Sequence, residues 1–166
     1  VAFVAMLHFL AGILQAPFSG AIIDSMKPKV LMLILMSIQI MSTLLLLLVN
    51  QVSDLWILYA LILIKMAAAS FYFTTEMSLL PKILDGKKLQ KANEIHSIIW
   101  SLSYTLGMAL SGFIVYLLGI KVAFILDAMM FVIGFYILFS LDIKVNNLEN
   151  AKIYFKEKGV KFERKT

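Results

Sequence analysis

The chain has 166 residues, 61% of them hydrophobic and only 15% charged, with a mean hydropathy of +0.92 and a formal net charge of +5. Soluble domains carry about 45–50% apolar and about 25% charged residues, so this balance excludes an ordinary soluble domain. The positive excess reads as basic loops flanking a membrane rather than as a nucleic-acid footprint, and the absence of cysteine excludes disulfides and thiolate metal centres.

Five apolar segments approach or exceed the roughly 20 residues that a bilayer crossing requires. They are 1–23, 30–49, 55–76, 95–118 and 122–141, and a basic tail fills 142–166. None shows strand alternation, and lipid leaves no unpaired backbone outside a helix or a closed barrel. The expected fold is therefore an all-α integral membrane bundle over residues 1–141.

The first segment lacks a basic start and runs too long before its first charge to be a cleaved signal peptide. Its Gly12, Ala16 and Gly20 recur every four residues, giving a small-residue face that lets another helix approach closely. Asp24 follows, then Lys27-Pro28-Lys29. A carboxylate at the C-terminus of its own helix opposes the helix dipole. Asp24 should thus face another helix's N-terminus or pair with Lys29, unless it merely sits in an ordinary capped loop. The second segment is aliphatic, with leucine at every position of 44–48, and ends in the polar turn 50–54.

The third segment holds Lys65 about 15 Å from its start, at 1.5 Å per residue. A charge at that depth costs about 2.5–3.5 kcal/mol and must face protein or water. Lys65 is either a substrate or proton-coupling charge, or a lysine that snorkels or is structurally paired. Glu76 reads as a solvated interfacial acid near the end of this segment, before the basic connector 81–93. In the fourth segment Ser97, Ser101, Tyr104, Met108 and Ser111 share one helical face, and Ser103, Gly107 and Ser111 form a small-residue ridge beside it. The face suits a watery cavity, and the ridge, continued by Gly112, suits helix packing. The plainer alternative is that these hydroxyls bond back to helix carbonyls. After the turn at Gly119, the fifth segment places Asp127 shallow in the membrane, with Lys121 as its nearest partner in sequence. His8 and His96 read as isolated packing or interfacial residues, and no metal-ligand set is evident.

Orientation follows from the lysines. The connector after the first segment has Lys27 and Lys29, that after the third has Lys82, Lys87, Lys88 and Lys91, and the tail adds seven basic residues. The opposite face has only Lys121, and Lys65 lies inside a segment. The positive-inside rule then puts the basic connectors and the tail in the cytoplasm and Val1 on the outer face of a plasma-membrane protein. An outer start at Val1, with nothing ahead to orient it, leads to the expectation that an upstream helix is missing; a complete five-span protein with a processed terminus is the alternative. In the tail, Ile153, Tyr154, Phe155, Val160 and Phe162 alternate with lysines, which fits either a membrane-surface segment or a solvated linker.

Gly20-Ala21-Ile22-Ile23-Asp24 followed by Lys29, Val30 and Leu31 resembles the loop between the second and third helices of the major facilitator superfamily. Ser25, Lys27 and Pro28 depart from that pattern. Phe71-Tyr72-Phe73 through Leu80-Pro81-Lys82, then Leu89-Gln90-Lys91-Ala92-Asn93, is similar to the connection between helices four and five of one branch, which contains enterobactin-exporter-like and macrolide-efflux-like proteins. Gly107 to Gly112 resembles that branch's glycine-rich fifth helix, with Met108 and Ser111 as departures, and Gly119, Phe124, Asp127, Ala128 and Phe131 fit the start of its sixth. Leu61-Ile62-Leu63-Ile64-Lys65 is similar to the basic position in helix four of some drug exporters.

The resemblance covers about residues 18–141 in order. It implies helices 2–6 of a twelve-helix fold, the N-terminal half of a secondary transporter whose other half is the missing partner. Its implied work is proton-coupled efflux of a small molecule such as a drug, macrolide or siderophore. Lys65, Ser97, Ser101 and Tyr104 are then the substrate or coupling candidates, and Gly20, Asp24 and Lys29 the conformational-switch loop. No cofactor is implied. The alternative is a membrane-embedded enzyme or a helical subunit of a membrane assembly. Against an enzyme, the sequence holds no phosphate-binding glycine loop, His-Glu-x-x-His pair or nucleophile elbow.

Overall fold

The computed structural model describes residues 26–49, 51 and 54–143, together with individual residues between Met6 and Ser25 that are helical. Val1, His8, Ala16, Asp24 and the tail 144–166 lie outside the described residues. The described part is α-helical, with no strand among these residues. Four of its helices are long and apolar enough to cross a membrane: α1 (Pro28–Leu46), α2 (Leu55–Ile83), α3 (Gly86–Leu118) and α4 (Ile120–Ser140).

Pro28 opens α1 at a position where its fixed φ suits a helix and its missing N–H has no partner to lose. Helix α1 is the centre of the bundle. It lies antiparallel to α2, because Leu31 and Leu35 meet Ala68 while Leu45 and Leu48 meet Ile57 and Leu61. It is antiparallel to α4 as well, because Met32 and Met36 pack on Leu138 while Ile40 and Leu44 face Ile125 and Ala128. Ile23 of the first segment joins Leu31, Leu35 and Ala68 in one buried cluster. The polar residues of α1 that fall inside are short or amide-bearing: Gln39, Ser42 and the fully buried Thr43. In lipid, apolar burial does not drive helices together, so small polar side chains that allow close packing and bond across helices are suited to these contacts.

Helices α2 and α3 run further than their apolar segments. The first of them continues through Pro81 to Ile83, and the next already begins at Gly86, so the basic stretch 81–93 is mostly helix. The reason is length. With 29 and 33 residues, these helices span about 44 and 50 Å, well beyond the roughly 30 Å of a hydrocarbon core. Hydropathy marks where lipid ends, not where the helix ends. Pro81 is tolerated because the helix stops two residues later, and the Leu84 N–H closes the last turn on the Leu80 carbonyl at 2.9 Å.

Only Gly119 separates α3 from α4. Its φ of +82° lies where an L side chain is strained, which makes glycine the fitting residue at this tight hairpin. Helix α3 packs chiefly on α4, and none of its residues is buried.

Candidate functional site

Three helices converge on one ion pair. Lys65 of α2 donates from Nζ to Asp127 Oδ2 of α4, and Thr43 Oγ1 of α1 donates to the same oxygen at 3.2 Å. The Lys65 ammonium also lies 5.2 Å from the centre of the Phe131 ring, one turn further along α4. Such a cluster is the expected solution for a charge inside an apolar helix: an opposite charge, a hydroxyl and an aromatic face replace water. Asp127 therefore pairs with Lys65 and not with its sequence neighbour Lys121. Six residues of helix rotate Lys121 about 120° away from Asp127, and its side chain is exposed.

A second polar cluster lies toward the other end of α2. His96 of α3 places Nε2 3.6 Å from Glu76 Oε1, and its ring meets Phe73 at 5.8 Å between centres. Glu76 and His96 thus face each other rather than standing alone. Beside them is a cavity of about 310 Å³ between the four helices, with Gln39, Tyr72, Glu76 and Trp100 on its wall. Trp100 stacks on Tyr104 at 5.4 Å, with the planes 9° from parallel. Of the proposed serine face, Tyr104 is thereby linked to this cavity. Ser97 bonds back to the Asn93 carbonyl at 2.9 Å, and Ser111 to that of Met108 at 3.0 Å. Ser101 is exposed, and its carbonyl accepts from Thr105.

Lys29, in the first turn of α1, reaches across to the C-terminus of α4. Its Nζ donates to the Phe139 carbonyl at 2.8 Å and to that of Leu141, and it lies 5.8 Å from the centre of the Phe139 ring. These are carbonyls that a helix end leaves without partners, and a cation there also complements the dipole. Lys29→Met should speed amide exchange at 138–141 about two- to fivefold, and Lys29→Arg should restore the slow rate. Unchanged exchange in Lys29→Met would show that the lysine does not hold the helix end.

The small-residue positions divide. Gly12 sits beside α2, where an added Cβ would lie 3.8 Å from Ser70 Oγ, and Gln15 donates to the same hydroxyl. At Gly20, Gly107 and Gly112 an added Cβ would meet nothing within 4 Å among the described residues, and Ser103 and Ser111 are exposed. The close approach falls instead at Gly134, where a Cβ would lie 2.9 Å from Met36 Cε. Small size permits an approach but supplies none: α4 meets α1 at Gly134, whereas among the described residues nothing comes as close to α3 at Gly107 or Gly112. Gly134 was missed because it is a single small residue without a repeat. Its isolation among bulky side chains was the available signal.

No curated protein and no solved structure matches the chain. A family model described as Major Facilitator Superfamily matches residues 1–158. With apolar helices of membrane-spanning length and a match over most of its residues, the chain belongs to the major facilitator superfamily, a family of membrane transporters.

Proposed function

We propose that the chain works as the N-terminal half of a secondary transporter that exports a small molecule against a proton gradient across the plasma membrane. The family match over residues 1–158 is the observation that carries this reading, and it favours a transporter over the membrane enzyme or assembly subunit. Five spans equivalent to helices 2–6, Val1 outside and the tail in the cytoplasm belong to the same proposal. So does the exporter branch. The antiparallel order of the helices supports it, because it gathers Lys27, Lys29, Lys82, Lys87, Lys88 and Lys91 at one end of the bundle.

Substrate would bind near the midplane against a second helical half. Lys65, Ser97, Ser101 and Tyr104 are the proposed contacts or coupling groups, and Gly20, Asp24 and Lys29 the proposed switch. In everted vesicles bearing the whole transporter, an inside-acid gradient should drive uptake of a compound from a panel of drugs, macrolides and catecholate siderophores. A protonophore should abolish that uptake. Uptake indifferent to the gradient would overturn proton coupling. Residues 1–166 reconstituted alone should give no gradient-driven flux, and flux would refute the need for an opposing half.

A further inference from the structure

We propose that the cavity beside Glu76 is a binding site for a lipophilic organic cation. Its volume of about 310 Å³ lies at the lower end of the range for small-molecule sites. Its wall combines one carboxylate, Glu76, with the aromatic side chains of Tyr72, Phe73 and Trp100, and with the buried Gln39. Aromatic faces attract a cation through their quadrupole, most strongly for tryptophan, and a carboxylate in a low-dielectric setting adds direct attraction. The other crevices are of a different kind. The one beside Ile40, Leu44, Ile125 and Met129 is aliphatic throughout and offers nothing to a charge.

A lysine and a histidine lie near enough to matter. Lys65 stands over Phe131, on the same wall, but its charge is taken up by Asp127. Phe131 therefore serves the ligand as an apolar surface, while Tyr72, Phe73 and Trp100 provide the cation-binding faces. His96 reaches Glu76 at 3.6 Å, longer than a good charge-assisted bond, so it orients the carboxylate without consuming it. Glu76 closes the apolar segment 55–76, about 10 Å before the end of α2, and its side chain is 35% exposed, so an opposite charge can still reach its carboxylate. A flat or branched aromatic cation supplies the charge and also covers the exposed face of Trp100, which Tyr104 backs by stacking. That this cation is also transported cargo rests on the transporter reading above; its binding does not.

The probe is tetraphenylphosphonium, added to the full chain in detergent, with quenching of Trp100 fluorescence read in a Trp56→Phe background. Saturable quenching is expected, with affinity falling about tenfold or more in Glu76→Gln and several-fold in Trp100→Ala read by equilibrium dialysis. Neutral triphenylphosphine oxide should bind about tenfold more weakly to the unaltered chain and be indifferent to Glu76→Gln. Glu94→Gln, an exposed acid on α3 away from the cavity, should bind the cation normally. Should Glu76→Gln fail to fold, Glu76→Asp must still prefer the cation to the neutral probe. Equal affinity for both probes, or full cation affinity in folded Glu76→Gln, overturns the site. Glu76-dependent binding without gradient-driven transport of any compound sustains the site and sinks the transporter reading. Transport of another cargo without cation binding does the reverse.

Discussion

Asp127→Ala should destabilise the bundle by about 2–3 kcal/mol, read as a lower midpoint of unfolding in mixed micelles. The size follows from what remains rather than from what is lost. Lys65 is the more enclosed partner, its side chain 15% exposed against 40% for Asp127. Removing the carboxylate leaves an ammonium among apolar helices, with Thr43 and the Phe131 ring as its polar and aromatic surroundings among the described residues. Lys65→Ala should cost less, because Asp127 is more open and keeps the Thr43 hydroxyl. The double variant Lys65→Met/Asp127→Leu should recover most of the stability, since a buried ion pair replaced by apolar groups of similar size is often neutral or better.

The same set of variants separates structure from function. If Lys65 only pins α2 against α4, the Lys65→Met/Asp127→Leu transporter should export as the unaltered one does. If Lys65 contacts substrate or couples protons, that variant should be stable and inactive. A double variant as unstable as Asp127→Ala would sink the ion-pair account altogether.

What the sequence disclosed about this cluster was one-sided. Lys65 stands out because a charge in a long apolar run violates the local pattern. Its partner does not, because Asp127 lies 62 residues away on a helix whose rotation hydropathy leaves open. Proximity in sequence pointed to Lys121, and helical rotation decided otherwise. The Glu76–His96 contact was hidden for another reason. Apolar runs end at the lipid boundary, whereas α2 and α3 continue to a two-residue turn at 84–85. Residues roughly equidistant from that turn face each other across the hairpin, so correct helix ends would have paired Glu76 with the region of His96. Helix type, and the presence of helices long and apolar enough to cross a membrane, were legible because each depends on composition along one segment. Contacts depend on two segments at once. The serine face shows the limit, for its periodicity was real, yet Ser97 and Ser111 satisfy themselves on their own helix.

Gly134→Leu should destabilise the bundle by about 2–3 kcal/mol, while Gly134→Ala should cost under about 1 kcal/mol. An alanine Cβ would fall 2.9 Å from Met36 Cε, the far end of a flexible side chain that can swing aside. Leucine adds three further carbons where Met36 is already buried in a cluster with Met32, Leu79 and Leu138. Met36 borders the cavity beside Gln39 and Trp100, and whatever it cannot yield by moving into that space α1 must yield by moving away from α4. That separation also loads the two polar ties between these helices, Thr43 with Asp127 at one level and Lys29 with the end of α4 at the other. Overpacking at one glycine thus reaches the Lys65 cluster without touching it. The Gly134→Leu/Met36→Ala variant tests this directly, since shortening the methionine makes room for the leucine. Its destabilisation should fall short of the summed single effects by about 1 kcal/mol or more. Additive effects, or a Gly134→Leu chain as stable as the unaltered one, would mean that α1 and α4 do not meet at this point.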